Sequence, residues 1–164
     1  AAWLPRRFKR HIKFLLKTFT PLTDLLAKYM RPSPEDLEDR TFFEQSTTLM
    51  LYTIAVAISQ IANNDKIGQF SASHIVDGEI GFGIKDGPAV TIRAKNGRLV
   101  TIKKRCENPR AEMEFASMDL ARDLFDGKIN AVACIGMGAI TMKGMISMID
   151  NMNRLLDRVA LYLA

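Results

Sequence analysis

Hydrophobic residues follow a helical period in the first part of the chain. From residue 3 to residue 30, large apolar side chains recur every three or four positions, with basic residues between them. This spacing predicts an amphipathic helix. Pro21 predicts a break into two helices, with Thr20 as the N-cap of the second. The sequence therefore predicts a helical arm over residues 1–31.

A second helical region is predicted at residues 37–62, after a linker that contains two prolines. Its part from residue 49 to residue 61 is apolar nearly all round, which is typical of a buried helix. Residues 32–164 are predicted to form one domain. In that domain, residues 37–62 are the helical lead-in, and residues 67–164 supply a sheet and a closing helix.

The hydrophobic period changes to two after Ile67. A strand is expected at residues 68–76, with Phe70, Ala72 and His74 on one face. Three further strands alternate apolar and polar side chains and are separated by turn sequences, including the hairpin signal Asn96-Gly97. They predict an antiparallel meander with one face in water, over residues 79–85, 90–95 and 98–105.

The last third predicts two more strands and two helices. Residues 111–115 alternate as a fourth strand, and Ser117 and Gly127 are the expected caps of a short helix at residues 118–126. A fifth strand is expected at residues 131–143, interrupted near Gly136-Met137-Gly138. The chain then closes with an amphipathic helix at residues 142–163.

Charge changes the interpretation of the arm. The chain has a net charge of +5, but residues 1–31 hold eight Lys or Arg and one acid, so the remainder is close to neutral. A basic amphipathic helix is typical of contact with an anionic membrane surface. A cover helix with solvated lysines, or one packed against a second subunit as in a homodimer, remains the alternative. The residues predicted for membrane contact are Arg6, Arg7, Lys9, Arg10, Lys13 and Lys17.

Several function classes lack the residues they need. The histidines are His11 and His74, no nucleophile-elbow sequence is present, and no cluster has the spacing of metal ligands. The glycines fit neither a dinucleotide fingerprint nor a P-loop. No aromatic and basic platform for nucleic acid accompanies the charge. We therefore predict no catalytic residue, metal, cofactor or nucleic-acid partner.

The sequence also predicts a location. The longest apolar run is too short to span a bilayer, and Lys13 and Lys17 interrupt what would be the apolar part of a signal peptide. Cys106 and Cys134 suit a reducing compartment, although a disulfide between them stays open. These features predict a cytoplasmic protein that is peripheral to a membrane.

Methionine is the one unusual feature of the closing segment. Five of the nine methionines lie between residues 137 and 152. Methionine is unbranched and adapts to irregular apolar shapes, so these residues suit either a plain core or the deformable wall of an apolar cavity. Periodicity does not separate the two.

Residues 78–163 resemble the sterol carrier protein 2 family of lipid-binding domains. Besides the meander, the resemblance rests on three motifs in the same order. The first is the strand Asn108-Pro-Arg-Ala-Glu-Met-Glu-Phe-Ala, the second is Leu124-Phe-Asp-Gly-Lys-Ile-Asn130, and the third is Lys143-Gly144 before the last helix. The resemblance implies an α+β fold with a mixed five-stranded sheet covered by helices. It also implies an apolar tunnel for sterols, fatty acyl chains or similar lipids, without covalent chemistry. The helical arm is an addition to it.

These observations together predict a protein that binds or transfers a hydrophobic ligand and is not an enzyme. The ligand would be a sterol, a fatty acyl chain, a phospholipid or a quinone, held between the sheet and the last helix. A structural or dimerisation module with a filled core, or an accessory subunit of a lipid- or quinone-related enzyme, is the alternative. The predicted ligand-binding residues are Phe82, Ile84, Val90, Ile92, Met113, Phe115, Met137, Met142, Met145, Met148, Ile149 and Met152.

Overall fold

The chain forms two compact units, Ala1–Leu49 and Met50–Ala164. The computed structural model describes residues 11–163. The division between the units falls inside a long helix rather than at residue 31, where the sequence predicts the end of the arm. The basic residues Arg6, Arg7, Lys9 and Arg10 lie outside the described residues.

The first unit begins with a helical arm that Pro21 does not break. Residues 11–14 are helical, and a π-helical turn at Leu15–Phe19 leads directly into α1, Thr20–Met30. The predicted break and the predicted N-cap at Thr20 are wrong. Because proline has no N–H and crowds the preceding turn, the helix accommodates it with one wider turn. The Thr20 hydroxyl donates to the Leu15 carbonyl oxygen over 2.9 Å, inside the helix.

A tight connection then turns the chain back into α2, Arg40–Asn64. A short 3₁₀ turn, Asp36–Glu38, precedes the helix. The Lys28 ammonium lies 3.0 Å from the Asp36 carboxylate, and the rings of Tyr29 and Phe42 stack with centroids 4.7 Å apart. These contacts hold the two helices of the first unit together at one end.

The second unit contains a mixed five-stranded sheet, which confirms the predicted fold class. The strand order is β3-β2-β1-β4-β5. The first three strands form the predicted antiparallel meander, β4 lies parallel to β1, and β5 lies antiparallel to β4. The strands are β1 Gly78–Ile84, β2 Ala89–Lys95, β3 Arg98–Ile102, β4 Ala111–Phe115 and β5 Ile140–Gly144.

The connection from β3 to β4 crosses the polar face of the sheet. The third strand ends at Ile102 rather than at Arg105, because the chain leaves the sheet edge there. The Thr91 hydroxyl donates to the Lys104 carbonyl oxygen over 2.7 Å, and Arg105 Nη1 donates to Glu114 Oε1 over 3.0 Å. Part of the face that the sequence predicts to be in water is therefore covered by the chain itself.

Two predicted strands are helical instead. Residues 68–76 mostly belong to α3, Lys66–Ser73, because Asp65 accepts from the amides of Ile67 and Gly68 and starts a helix there. Residues 131–136 form α5, Ala131–Gly136, because Asn130 accepts from the amides of Val132 and Ala133. The fifth strand is therefore short and begins only at Ile140. A side-chain N-cap satisfies orphan amides and determines the local structure in both places.

The other two helices differ less from expectation. The short helix α4, Met118–Phe125, is confirmed, and the Ser117 hydroxyl accepts from the Leu120 amide over 3.1 Å. Gly127 follows it with a φ of 70°, the left-handed conformation that ends many helices. The closing helix α6, Ile146–Leu163, starts four residues later than predicted because β5 continues to Gly144. No helix within residues 11–163 is long and apolar enough to cross a membrane.

The C-terminal half of α2 covers the core on one side only. Its buried residues recur at helical spacing, while Val56 is 48% exposed, so the prediction of burial nearly all round is wrong. Asn63 fixes this helix to the sheet edge. Its side-chain amide donates to the Leu99 carbonyl oxygen over 2.8 Å, and its carbonyl accepts from the Leu99 amide over 3.0 Å. The free edge of β3 is thereby partly paired.

Candidate functional site

One face of the sheet carries six of the predicted ligand-binding residues. The period of two places them on the same side, and the strand register sets Phe82 opposite both Val90 and Met113. The rings of Phe82 and Phe115 meet edge to face with centroids 5.5 Å apart. All six are buried: Phe82, Ile84, Val90, Ile92, Met113 and Phe115.

The closing helix supplies three more buried residues. Met148 and Met152 are each 0% exposed, and Ile149 beside them is also buried. They recur at three- and four-residue steps, so that they share one face of α6. Met142 and Met145 are partly buried and pack against the same core. The structure brings these five residues and the sheet face into one hydrophobic cluster.

Met137 is the predicted ligand-binding residue that the structure does not bring to this cluster. It directly follows α5, and its side chain is 75% exposed. The prediction placed it at an interruption of the fifth strand, against the wall of the cavity. Because the segment is instead a helix that Met137 caps, the side chain points away from the cluster.

Sequence reasoning missed other members of the cluster. Leu155 is fully buried on α6, three residues after Met152, and continuing the Met148–Met152 spacing along the helix would have found it. Phe125, at the end of α4, meets the Phe115 ring edge to face with centroids 5.6 Å apart. No local signal connects these two phenylalanines, because only the packing of α4 on β4 brings them together.

The core is closed around these residues. Met148, Met152 and Ile92 have no exposed surface, and Phe82 is 1% exposed. A ligand between the sheet and α6 would have to separate the side chains that now fill this space. Methionine suits such a movement, because it has three rotatable bonds and no branch.

Asp65 links the end of α6 to the start of α3. Its carboxylate accepts from Arg158 Nη2 and from the Tyr162 hydroxyl, each over 2.9 Å. The hydrogen bond from Arg158, the Gly68 amide and the Tyr162 hydroxyl hold the pKa of Asp65 well below its usual range. An open groove of about 680 Å³ lies beside these residues. Asp65 and Arg158 are 93 positions apart, so the sequence carries no signal for the pair.

The motif before α5 has a structural explanation. Arg122 is buried, and its Nε lies 3.0 Å from the Asp126 carboxylate, which also lies 3.1 Å from Lys128 Nζ. Burial raises the pKa of Asp126, but the hydrogen bonds from Arg122 and Lys128 outweigh it and the pKa is lowered. The Asp126-Gly127-Lys128 sequence therefore holds the turn between α4 and α5.

No group of three His, Cys, Asp or Glu within residues 11–163 is placed to hold a metal ion. Both cysteines are free, and burial together with a hydrogen bond to Glu79 raises the pKa of the Cys106 thiol. A thiol with a raised pKa is a poor nucleophile. His74 is exposed at the end of α3, and its Nδ1 lies 2.8 Å from the Phe70 carbonyl oxygen.

Similar proteins were found only among solved structures. No family model and no curated protein matches the sequence. The solution structure of the sterol carrier protein domain 2 of Helicoverpa armigera has a TM-score of 0.52 and is 20% identical. The match covers 68% of this chain and 88% of that one. A structure described as the UbiJ-SCP2 ubiquinone synthesis protein has a TM-score of 0.50, is 12% identical and is matched over 68% of this chain and 96% of its own. The second unit, with its mixed sheet and closing helix, thus has the fold of sterol carrier protein 2.

Proposed function

We propose that this protein binds a hydrophobic ligand between the sheet and α6 and transfers it without covalent chemistry. The ligand is a sterol, a fatty acyl chain, a phospholipid or a quinone. The observation that carries the proposal is the paired wall of buried methionine on α6 and aromatic and aliphatic side chains on the sheet. The names of the two similar structures, a sterol carrier and a ubiquinone synthesis protein, support a ligand of this class.

Binding in this proposal opens a closed core. Met148 and Met152 rotate away from the sheet face, and the ligand takes over the contacts that these side chains lose. Because one apolar contact replaces another, the opening costs less than exposing the same surface to water would. Flexible side chains also allow ligands of different cross-section to occupy the same wall. No catalytic residue is needed for these steps.

The arm supports a second part of the proposal, contact with an anionic membrane surface. Lys13 and Lys17 are exposed on the described part of the arm. Large apolar side chains are exposed beside them, which is unusual for a helix in contact with water alone. They are Ile12, Phe14, Leu15, Leu16, Phe19, Leu22, Leu25 and Leu26. Arg6, Arg7, Lys9 and Arg10 would add charge to the same contact.

A homodimer is the second candidate role for the arm, because a second copy would also cover its exposed apolar side chains. In that case the chain is a structural module or an accessory subunit. A cytoplasmic location, peripheral to a membrane, belongs to the leading proposal. Its support is the free thiols of Cys106 and Cys134, which suit a reducing compartment.

Ligand binding is tested with the purified full chain. A fluorescent polyene fatty acid should bind and be displaced by unlabelled lipids, and native mass spectrometry should find an apolar molecule that co-purifies. If no probe binds and nothing co-purifies, the filled-core alternative is correct and the carrier proposal is wrong.

The role of the arm is tested by deleting residues 1–20. Binding to anionic vesicles should fall and should weaken with salt, because the charges of the arm are exposed to screening. Ligand affinity should stay within about threefold, or roughly 0.7 kcal/mol. Equal vesicle binding with and without the arm would remove the membrane role. Sedimentation of the full and the shortened chain measures their oligomeric state, and a dimer that is lost on deletion would assign the arm to dimerisation.

A further inference from the structure

The segment from residue 131 to residue 138, here called the α5 tip, is an exposed and uncharged projection of the second unit. Val132 is 76% exposed and Met137 75%, and the only buried residue of the tip is Cys134. All fourteen residues between Lys128 and Lys143 are uncharged. Large apolar side chains concentrated in this way on a surface usually mark a contact with something apolar.

The backbone of the tip satisfies most of its own hydrogen bonds. At its start, the Asn130 side chain accepts from the amides of Val132 and Ala133. At its end, the amides of Met137, Gly138 and Ala139 donate to carbonyl oxygens within the tip, at 2.8 to 3.0 Å. Backbone groups that are already paired can leave water at little cost, which is a requirement for entering a lipid phase.

The tip is also held in place at its base. The buried side chain of Cys134 lies in the core, and the Ala139 amide donates to the Cys134 carbonyl oxygen over 2.8 Å. The next residues enter β5, which pairs with β4. The apolar side chains are therefore presented on a fixed projection rather than on a free loop.

A lipid bilayer fits this surface better than a protein partner does. A stable protein interface takes roughly 20 to 30 residues a side and polar contacts that orient the partner. The tip has eight residues and no charged side chain. Charge complementarity therefore gives a protein nothing to recognise, whereas a hydrocarbon interior requires only apolar side chains and paired backbone groups.

We propose that the α5 tip inserts into the interfacial layer of a lipid bilayer, with Val132 and Met137 entering the acyl region. This contact is formed by a different segment from the basic arm and involves no charged side chain. It does not require that the chain carry a lipid. If the chain does, the tip and the sheet–α6 wall belong to the same compact unit.

The experiment measures vesicle flotation of the full chain on neutral phosphatidylcholine vesicles. Salt of about 0.5 M shortens the reach of charge to a few ångströms and so suppresses the charge-dependent part of the arm's binding. The exposed apolar side chains of the arm are the same in every variant that is compared. V132S/M137S should lower the partition coefficient on the order of tenfold, because two apolar side chains no longer enter the lipid. The matched control is V56S/V100S, which changes two exposed valines elsewhere on the same unit and should bind as the unchanged chain does.

Fluorescence provides an independent readout. The variant M137W is made in a W3F background, which removes the single tryptophan of the chain. Its tryptophan emission should shift to the blue when vesicles are added and should be quenched by brominated acyl chains. The inference is overturned if the unchanged chain does not bind neutral vesicles, if V132S/M137S binds as well as the unchanged chain does, or if Trp at position 137 stays in water.

Ligand displacement with V132S/M137S separates this inference from the carrier proposal. Unchanged vesicle binding together with weaker ligand binding would show that Met137 contacts the ligand, and would overturn the proposal that the α5 tip enters the bilayer. If the variant loses vesicle binding and the unchanged chain binds no ligand, the insertion of the α5 tip is supported and the carrier proposal is rejected.

Discussion

Met137 and Met152 have the same side chain and the same predicted role, yet they occupy opposite environments. Met152 is fully buried between α6 and the sheet, while Met137 is 75% exposed on the α5 tip. The difference arises because Asn130 starts a helix where the sequence analysis predicts an interrupted strand. Side-chain chemistry therefore made both residues candidates for an apolar contact. The local backbone determined whether the side chain lies in the core or at the surface.

The largest expected effect comes from truncating the two methionines. M152A should lower the free energy of unfolding by about 2–5 kcal/mol, because it leaves a cavity in a close-packed core. M137A should change it by less than about 0.5 kcal/mol, because the removed atoms are already in water. Urea unfolding of both variants measures the difference. Equal losses would show that the tip is packed in solution.

Glycines at the end of β5 and at the end of α5 extend the comparison. In G144A the added Cβ would lie 2.2 Å from the Arg110 carbonyl oxygen, at a φ of 89°. This variant should lose roughly 2–3 kcal/mol, because the contact and the backbone are both strained. G136A meets nothing within 4 Å and should gain about 0.5–1 kcal/mol, because alanine favours the helix. Thermal unfolding measures both, and a stable G144A would contradict the described strand end.

Acid should weaken the second unit through Asp65. Its folded pKa lies below the unfolded value of about 3.9, so the unfolded chain binds the extra proton and stability rises with pH in that range. The contribution is fully present above about pH 5 and is lost as pH falls through the unfolded value toward the folded one. D65N should lower the Tm at neutral pH by roughly 5 °C, and the difference from the unchanged chain should shrink only as the pH falls below about 4.

The exposed Asp157, which precedes Arg158 on α6, offers the matched control D157N. If D65N and D157N have the same pH dependence, the link between Asp65 and Arg158 does not stabilise the fold. Asp36, Glu79, Glu107 and Asp126 also have lowered pKa values, so a residual acid sensitivity is expected in both variants.

M148L/M152L should change the flexibility of the wall with little change in stability. Leucine conserves volume, so the free energy of unfolding should change by less than about 1.5 kcal/mol. The wall loses flexibility, however, and affinity for a bulky sterol should fall more than affinity for a straight acyl chain. Displacement titrations with both ligands measure this. An equal loss of affinity for the two ligands would reject a deformable wall. The control is M137L, which should change the affinity for neither ligand.

Local sequence was sufficient to predict secondary structure where the pattern fits only one kind of element. The turn at Asn96-Gly97, the cap at Ser117 and the alternation in β1, β2 and β4 each predicted what the structure shows. It was insufficient for residues 68–76 and 131–136. A short run of apolar and small residues is compatible with both periods, and the preceding Asp65 or Asn130 determines which one forms.

For the candidate site, the sequence by itself determined which residues are apolar and on which face of a strand or of α6 they lie. Only the tertiary structure decided which of them meet. The parallel pairing of β1 with β4 places Phe82 beside Met113. The docking of α4 brings Phe125 to Phe115, and the α5 turn removes Met137 from the wall. The physical reason is that periodicity records the direction of a side chain relative to its own backbone, whereas burial depends on segments far away in the chain.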